Sequence, residues 1–255
     1  MSYNIQAGGG NLDGVMQAIR DAAPDLVALQ EVDVHWGERS GFTDQATQLA
    51  ASLKMEVRFA PIYRMAPRAA GQPSREFGVA LLSRFPIRTW SNDTLTRLST
   101  QDPNASPTRM PGLLRATIGV NGCAVHVLTT HLDYRFDPSV RRQQVAEMVR
   151  YLGALPKPII VAGDLNAPPD ARELAPLLRV LRDAWSASPS GGRAGQGNGL
   201  TYPADNPTKR IDYVLVSSDF DVRSAAVPMT RASDHRPVIA VLSIQAAACY
   251  SHQQR

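Results

Sequence analysis

Three apolar runs in this chain end in an acid or an imidazole. Pro158-Ile159-Ile160-Val161-Ala162 climbs into Gly163-Asp164-Leu165-Asn166, Leu26-Val27-Ala28-Leu29 ends in Gln30-Glu31, and Cys123-Ala124-Val125-His126-Val127-Leu128 ends in Thr129-Thr130-His131. Runs of β-branched and small apolar residues read as buried strands, so each reactive group sits where the chain leaves the core. An unpaired carboxylate there is costly; Asp164 therefore calls for a metal, a histidine or a reacting proton. One polar residue at a strand end is ordinarily a turn or a cap. Three of them, with Asp212 and Ser233-Asp234-His235 still downstream, point to one assembled site.

The elements that must position these groups alternate in type. A first strand, Ser2-Tyr3-Asn4-Ile5, leads through Gly8-Gly9-Gly10 to Leu12, Val15, Met16 and Ile19 at helical spacing, with Asn11 as N-cap and Pro24 as the stop. The triple glycine lacks the Gly-Lys-Ser/Thr ending of a phosphate-cradling loop and reads as a flexible turn. A strand to Glu31 and a helix over 43–53 follow, then strands near 56–63, 77–83 and 113–131, the last broken by the hairpin signal Asn121-Gly122. Helices are predicted over 138–153 and 170–181, and late strands over 210–217, 220–227 and 236–244. Hairpins mix with crossovers and helices occur in both halves, which predicts an α/β fold of two stacked mixed sheets flanked by helices. Residues 91–112 and 187–208 read as long loops, either shaping a substrate groove or forming surface insertions.

The 255 residues suit one domain, taken as 1–245, with 246–255 as a tail. With 44% hydrophobic and 20% charged residues and no long apolar run, no stable membrane insertion is expected. Net charge is +4, which suits a polyanionic partner mildly. Lys54, Lys157 and Lys209 are the only lysines among 27 basic residues. Arginine forks match phosphate, although arginine richness also follows genome base composition. Cys123 and Cys249 form neither a metal-type spacing nor a disulfide framework, so a reducing, cytoplasmic setting is expected. His35 and His126 read as ordinary surface or structural residues.

In order, Asn4, Leu29-Gln30-Glu31, Glu76-Phe77-Gly78, Thr130-His131-Leu132, Gly163-Asp164-Leu165-Asn166, Arg210-Ile211-Asp212-Tyr213 and Ser233-Asp234-His235 span almost the whole chain. This series resembles the signature of the endonuclease/exonuclease/phosphatase superfamily, which includes pancreatic deoxyribonuclease, abasic-site endonucleases, deadenylases, neutral sphingomyelinases and inositol-polyphosphate phosphatases. The resemblance implies a four-layer α/β/β/α sandwich and metal-dependent cleavage of a phosphate ester. It implies Glu31 as the principal ligand of Mg2+ or Mn2+, with Asn4 and Asp234 near the same ion or a second one. His235, oriented by Asp212, would contact the scissile phosphate or help activate water; Asp164 would take the water proton, with Asn166 holding that water in line. His131, braced by Glu76, would protonate or stabilise the leaving oxygen. Such chemistry needs a hard cation, positioned donors, and an acid and base on opposite sides of phosphorus. Specialised abasic-site endonucleases tend to carry tyrosine where this chain has His131, which turns the resemblance away from that branch. Glu76 also reads as a plain strand-edge charge.

For the substrate, a nuclease acting on DNA through the phosphate backbone is the first expectation, with Arg64, Arg68, Arg75, Arg97, Arg109, Arg135, Arg141 and Arg142 in or beside predicted loops. Arg109 and Arg141 are the named candidates for substrate binding. Arg141 and Gln144, one turn apart, alternatively brace loops near the site or form a solvated helix face. A phosphohydrolase of a phospholipid headgroup, sphingomyelin or an inositol phosphate is the alternative. A catalytically dead binding module would have lost an acid, and none is missing.

Overall fold

The structure is a computed structural model that describes residues 1–9, 11–189, 198–245 and 249. Strands β1 (Ser2–Asn4), β2 (Leu26–Val34), β3 (Glu56–Met65) and β4 (Arg75–Ser83) form one sheet in the order β1-β2-β4-β3. Strands β5 (Ile87–Arg97), β6 (Thr108–Val120), β7 (Cys123–His131), β8 (Ile159–Asp164), β9 (Arg182–Asp183) and β10 (Asp212–Val216) form a second, ordered β5-β6-β7-β8-β10-β9. A third ribbon pairs β11 (Phe220–Ala226) with β12 (Ile239–Ile244). Both large sheets are mixed: β1–β2 and β7–β8 are parallel, and the other pairs are antiparallel.

Period-two alternation explains why the sheets stack and why helices cover their outer faces. In β7 and β8, Val125, Val127, Ile160 and Ala162 enter a central core with Ala28, Val79 and Leu81 of the first sheet. Their neighbours Leu128, Ile159 and Val161 point the other way, onto Val145, Met148 and Leu152 of α3 (Ser139–Gly153) and Leu177 of α4 (Ala175–Val180). Val27 and Leu29 of β2 likewise face Val15 and Ile19 of α1 (Leu12–Ala22) and Leu49 of α2 (Gln45–Leu53). Each such fully buried side chain contributes about 1.5–3 kcal/mol. Three apolar layers thus separate four structural ones, the α/β/β/α sandwich expected.

Local signals hold where their chemistry is local. Asn11 Oδ1 accepts from the Gly14 N–H at 3.0 Å, capping α1, and Asn121 and Gly122 take φ of 48° and 86° at the β6–β7 turn.

Two expectations are corrected. The predicted loop 91–112 is largely strand, because β5 and β6 pair in register from Ile87↔Ile118 to Arg97↔Thr108. Ser91, Asn92, Asp93 and Arg97 mimic loop composition, but β5 is the edge of its sheet, where Ser91 and Asp93 bond each other and Asn92 and Arg97 bond backbone carbonyls. The second predicted loop lies partly outside the described residues, and 198–208 carries only the isolated bridge Tyr202↔Lys209. Cys123 and Cys249 are joined in a disulfide with Cα atoms 5.0 Å apart. Their 126-residue separation carries no spacing signal, so only folding brings the tail cysteine to the start of β7.

Candidate active site

Register brings the reactive strand ends together. His131 and Asp212 both pair with Asp164, at the end of β8, while Asn4 pairs with Gln30, next to Glu31. Asp234 and His235 arrive on the segment between β11 and β12. Ser233 Oγ staples that segment to β1, donating to the Asn4 carbonyl at 2.7 Å while accepting from the His235 N–H at 3.2 Å. One oxygen lies at the centre: Asp164 Oδ2 is 3.1 Å from Asn4 Nδ2, 3.4 Å from His131 Nε2 and 3.8 Å from His235 Nε2. Asn4 Nδ2 also donates to Glu31 Oε1 at 3.1 Å. Asn166 donates its N–H to Asp164 Oδ1 at 2.9 Å. Its Nδ2 donates to the Leu132 carbonyl at 3.0 Å, which fixes the amide's orientation, and sits 2.8 Å from His131 Nε2.

Burial sharpens the electrostatics. Asp164 is 1% exposed; burial first, then the Asp212 charge, push its carboxyl up to about 6, against the histidines and the Asn166 N–H. Burial opposes protonation of His235, but the charge and hydrogen bond of Asp212, 2.9 Å from Nδ1, followed by Asp164 and Asp234, push the imidazole up to about 9. Asp164, Asp212 and His235 therefore form a row whose ligand-capable atoms lie within 4.8 Å of one another, with a cationic imidazole between two acids. The Tyr202 ring packs on His235 with centroids 4.7 Å apart.

Backbone geometry is specialised at the same place. The β2–β4 register shifts between Leu29 and Val32, and Glu31 takes φ of 56°. Such a bulge re-aims a side chain, and positive φ on a glutamate is strained. Asn166 adopts φ of 51°, a conformation asparagine tolerates. A Cβ at Gly163 would stand 2.3 Å from the Thr130 carbonyl oxygen; only glycine lets β7 approach β8 there.

The profile of the Endonuclease/Exonuclease/phosphatase family matches residues 1–235. The chain belongs to that family. It is 28% identical over 151 residues to protein cwh43 of Schizosaccharomyces pombe, a match covering 58% of this chain and 14% of that protein. Among solved structures, an endonuclease/exonuclease/phosphatase from Beutenbergia cavernae is similar with a TM-score of 0.72 and 23% identity, covering 96% of this chain and 71% of that one. A mannosyl-6-phosphatase of Bacteroides thetaiotaomicron is similar with a TM-score of 0.69 and 16% identity, covering 95% of this chain and 98% of that one. The family's name joins endonucleases, exonucleases and phosphatases, all of which cleave phosphate esters; the chain spans 14% of the length of the curated relative it matches.

Within this family member, Asn4, Glu31, His131, Asp164, Asn166, Asp212, Asp234 and His235 lie in or beside the cluster. Glu76 does not brace His131. Its cross-strand partner in β3 is Arg64, and the two side chains form an ion pair. Nor do the two expected phosphate-binding arginines face a substrate. Arg109 bonds Thr94 and pairs with Glu147 of α3, on the helix-covered side of the second sheet. Arg141 is 6% exposed and spends its guanidinium on Glu173 and the carbonyls of Asp133 and Arg135. It braces the segment after His131, as does Gln144, whose Oε1 accepts from the Asp133 N–H at 2.9 Å. His131 and Asp164 stand side by side through their β7–β8 register rather than apart. His35 bonds the Phe42 carbonyl and His126 the Thr117 hydroxyl.

Sequence reading missed Tyr202 and assigned Arg97 to a phosphate backbone rather than to its bracing place. Arg97 is buried and donates to the carbonyls of Pro111, Gly112 and His131 and to Thr130 Oγ1, locking the end of β7. Burial pushes its guanidinium down to about 10. Its place in a polar edge strand concealed it.

Proposed function

We propose that this protein is a divalent-metal-dependent phosphodiester hydrolase. The observation that carries the reading is the convergence of Asn4, His131 and His235 on one buried oxygen of Asp164, beside Glu31 and Asp234. Burial raises the Asp234 carboxyl, with Glu31 adding to the rise and His235 opposing it. Neither Glu31 nor Asp234 has an arginine or lysine ion pair among the described residues. Two neighbouring carboxylates that no arginine or lysine pairs fit a hard ion such as Mg2+ or Mn2+, with Asn4 beside them, its Nδ2 on Glu31 and its Oδ1 accepting from the Gln6 N–H. When bound, that ion supplies charge stabilisation for phosphate oxygens.

The chain's own groups divide the remaining work. Asp164, ionised at neutral pH, accepts a proton from the attacking water, and the Asn166 N–H keeps the carboxylate oriented. Protonated His235, held by Asp212, donates to a phosphate oxygen. His131 lies on the other flank of Asp164 and serves the departing oxygen. The two histidines, rather than His131 and Asp164, are thus the groups separated across the site.

Nuclease action on DNA is the reading favoured by the net charge of +4. A phosphodiester with a compact organic group is favoured by a specific observation: of the eight arginines first assigned to a phosphate backbone, seven hydrogen-bond or ion-pair with protein groups, and the charge of Arg142 acts on Asp137. The deciding experiment incubates the protein and Asp164→Asn with duplex DNA, single-stranded DNA, sphingomyelin, an inositol phosphodiester and bis-p-nitrophenyl phosphate, with Mg2+ or Mn2+ and with EDTA. Metal-dependent turnover lost in the variant is expected; equal turnover in EDTA overturns the proposal.

A further inference from the structure

Asp234 and His235 are carried by a loosely held ribbon. They lie on the segment that joins β11 to β12 at the Ala226↔Ile239 end, while the ribbon's far end is the pair Phe220↔Ile244. Among the described residues β12 has only β11 as a ladder partner, apart from the bridge Ser2↔Val238 just before it begins. None of its six residues is buried, whereas all five of β10 are. Beneath it lies an apolar cavity of about 260 Å³, lined by Val120 and Val125 of the β6–β7 hairpin and by Phe220, Ala240, Leu242 and Ile244 of the ribbon. A strand laid over empty volume forgoes dispersion contacts there, so the far end of the ribbon has little packing of its own to hold it.

A covalent bond holds that end. Cys123 and Cys249 are the only cysteines, and they are joined to each other. Cys123 is the first residue of β7, and period two puts its side chain on the same face as Val125 and Val127, toward the cavity. Cys123 is buried, whereas Cys249, five residues beyond Ile244, is partly exposed. The bond therefore ties the far end of the ribbon to the second sheet, and Cys249 is the side that a reductant can reach. At the opposite end Ser233 Oγ attaches the catalytic segment to the Asn4 carbonyl, so the segment is held at β1 and, through the ribbon, at the disulfide.

We infer that the Cys123–Cys249 disulfide is a redox switch on the active site. Closed, it holds the ribbon in the position that keeps Asp234 beside Glu31; open, it lets the ribbon shift and weakens the hold of that acid pair on a divalent cation. The metal part of this inference rests on the reading of Glu31 and Asp234 above. A dithiol reductant opens the bond: its thiolate attacks Cys249 Sγ, the S–S bond breaks and Cys123 leaves as a thiolate that takes up a proton. The second thiol of the reductant then displaces Cys249, so two electrons and two protons pass to the protein and the reductant departs as its own disulfide.

The test uses the whole protein in three forms: oxidised, reduced with dithiothreitol and then freed of it under argon, and as Cys249→Ser. Peptide mapping without reductant checks the bond; two free thiols after air oxidation overturn the inference. Hydrogen exchange and Mn2+ binding followed by electron paramagnetic resonance need no turnover. Reduction should speed exchange over residues 239–245 by about tenfold or more and leave β8 unchanged. It should raise the Kd for Mn2+ by about fivefold or more. Cys249→Ser should match the reduced protein and ignore dithiothreitol. Equal Mn2+ affinity in the two redox states overturns the switch and leaves the disulfide a staple of the fold. Exchange that rises alike in β8 and β12 overturns the ribbon as its carrier. If neither state binds Mn2+, the metal reading of Glu31 and Asp234 fails, and the switch with it.

Discussion

Asp164 is the residue on which the site turns, because burial and Asp212 hold its carboxyl up to about 6 while two histidines face the same oxygen. A base in that range is ionised at neutral pH yet basic enough to take a proton from water. Asp164→Asn preserves shape and removes the proton acceptor; kcat should fall about a hundredfold or more, with an unchanged circular dichroism spectrum. His235→Ala should lose a similar factor, since it removes the donor that Asp212 orients. Glu31→Gln acts differently. It should raise the Mg2+ concentration for half activity in a metal titration, because an anionic ligand becomes a neutral one.

At the scale of elements, the site depends on how closely β7 and β8 run. Gly163→Ala would drive a Cβ to 2.3 Å from the Thr130 carbonyl oxygen and should destabilise the protein by about 1–3 kcal/mol, read as a lower urea midpoint. Gly153→Ala in α3 meets open space and serves as the control with little or no loss. Arg97 ties β5 and β6 to the end of β7 through four acceptors. Arg97→Met should remove the guanidinium donor from the Pro111 and His131 carbonyls, while the Gly112 carbonyl keeps the Thr130 hydroxyl; it should cost about 1–3 kcal/mol and lower kcat through a displaced His131 before the protein unfolds.

At the scale of the whole molecule, much of the positive charge is paired with acids, at the surface as well as inside. A net charge of +4 coexists with arginines engaged by Glu38, Glu76, Asp133, Glu147 and Glu173. A protein gripping six or more DNA phosphates would lose about a thousandfold in affinity between about 50 and 200 mM salt. Here, kcat/KM on the preferred substrate should change less than about threefold across that range, because few free arginines release counterions. A steep decline on DNA would restore the nuclease reading.

The sequence by itself determined which groups lie at strand ends, since alternation and β-branched runs depend on neighbours only a few residues away. His131, Asp164 and Asp212 were legible on that basis, as were the Asn11 cap, the Asn121-Gly122 turn and the layering of the sandwich, whereas Glu31 lies inside β2, at its bulge, and not at the strand's end. Glu76 and Arg109 meet partners other than those their first readings gave them, Arg141 takes the bracing role that was its alternative, and β5 and the Cys123–Cys249 pair went unseen. Each of those depends on a partner across a sheet, on a packed helix or at the far end of the chain. Only the tertiary structure decided which acid each arginine meets and that His131 and Asp164 stand side by side. A long polar side chain takes whatever charge the packing brings within reach, and chain spacing does not record that.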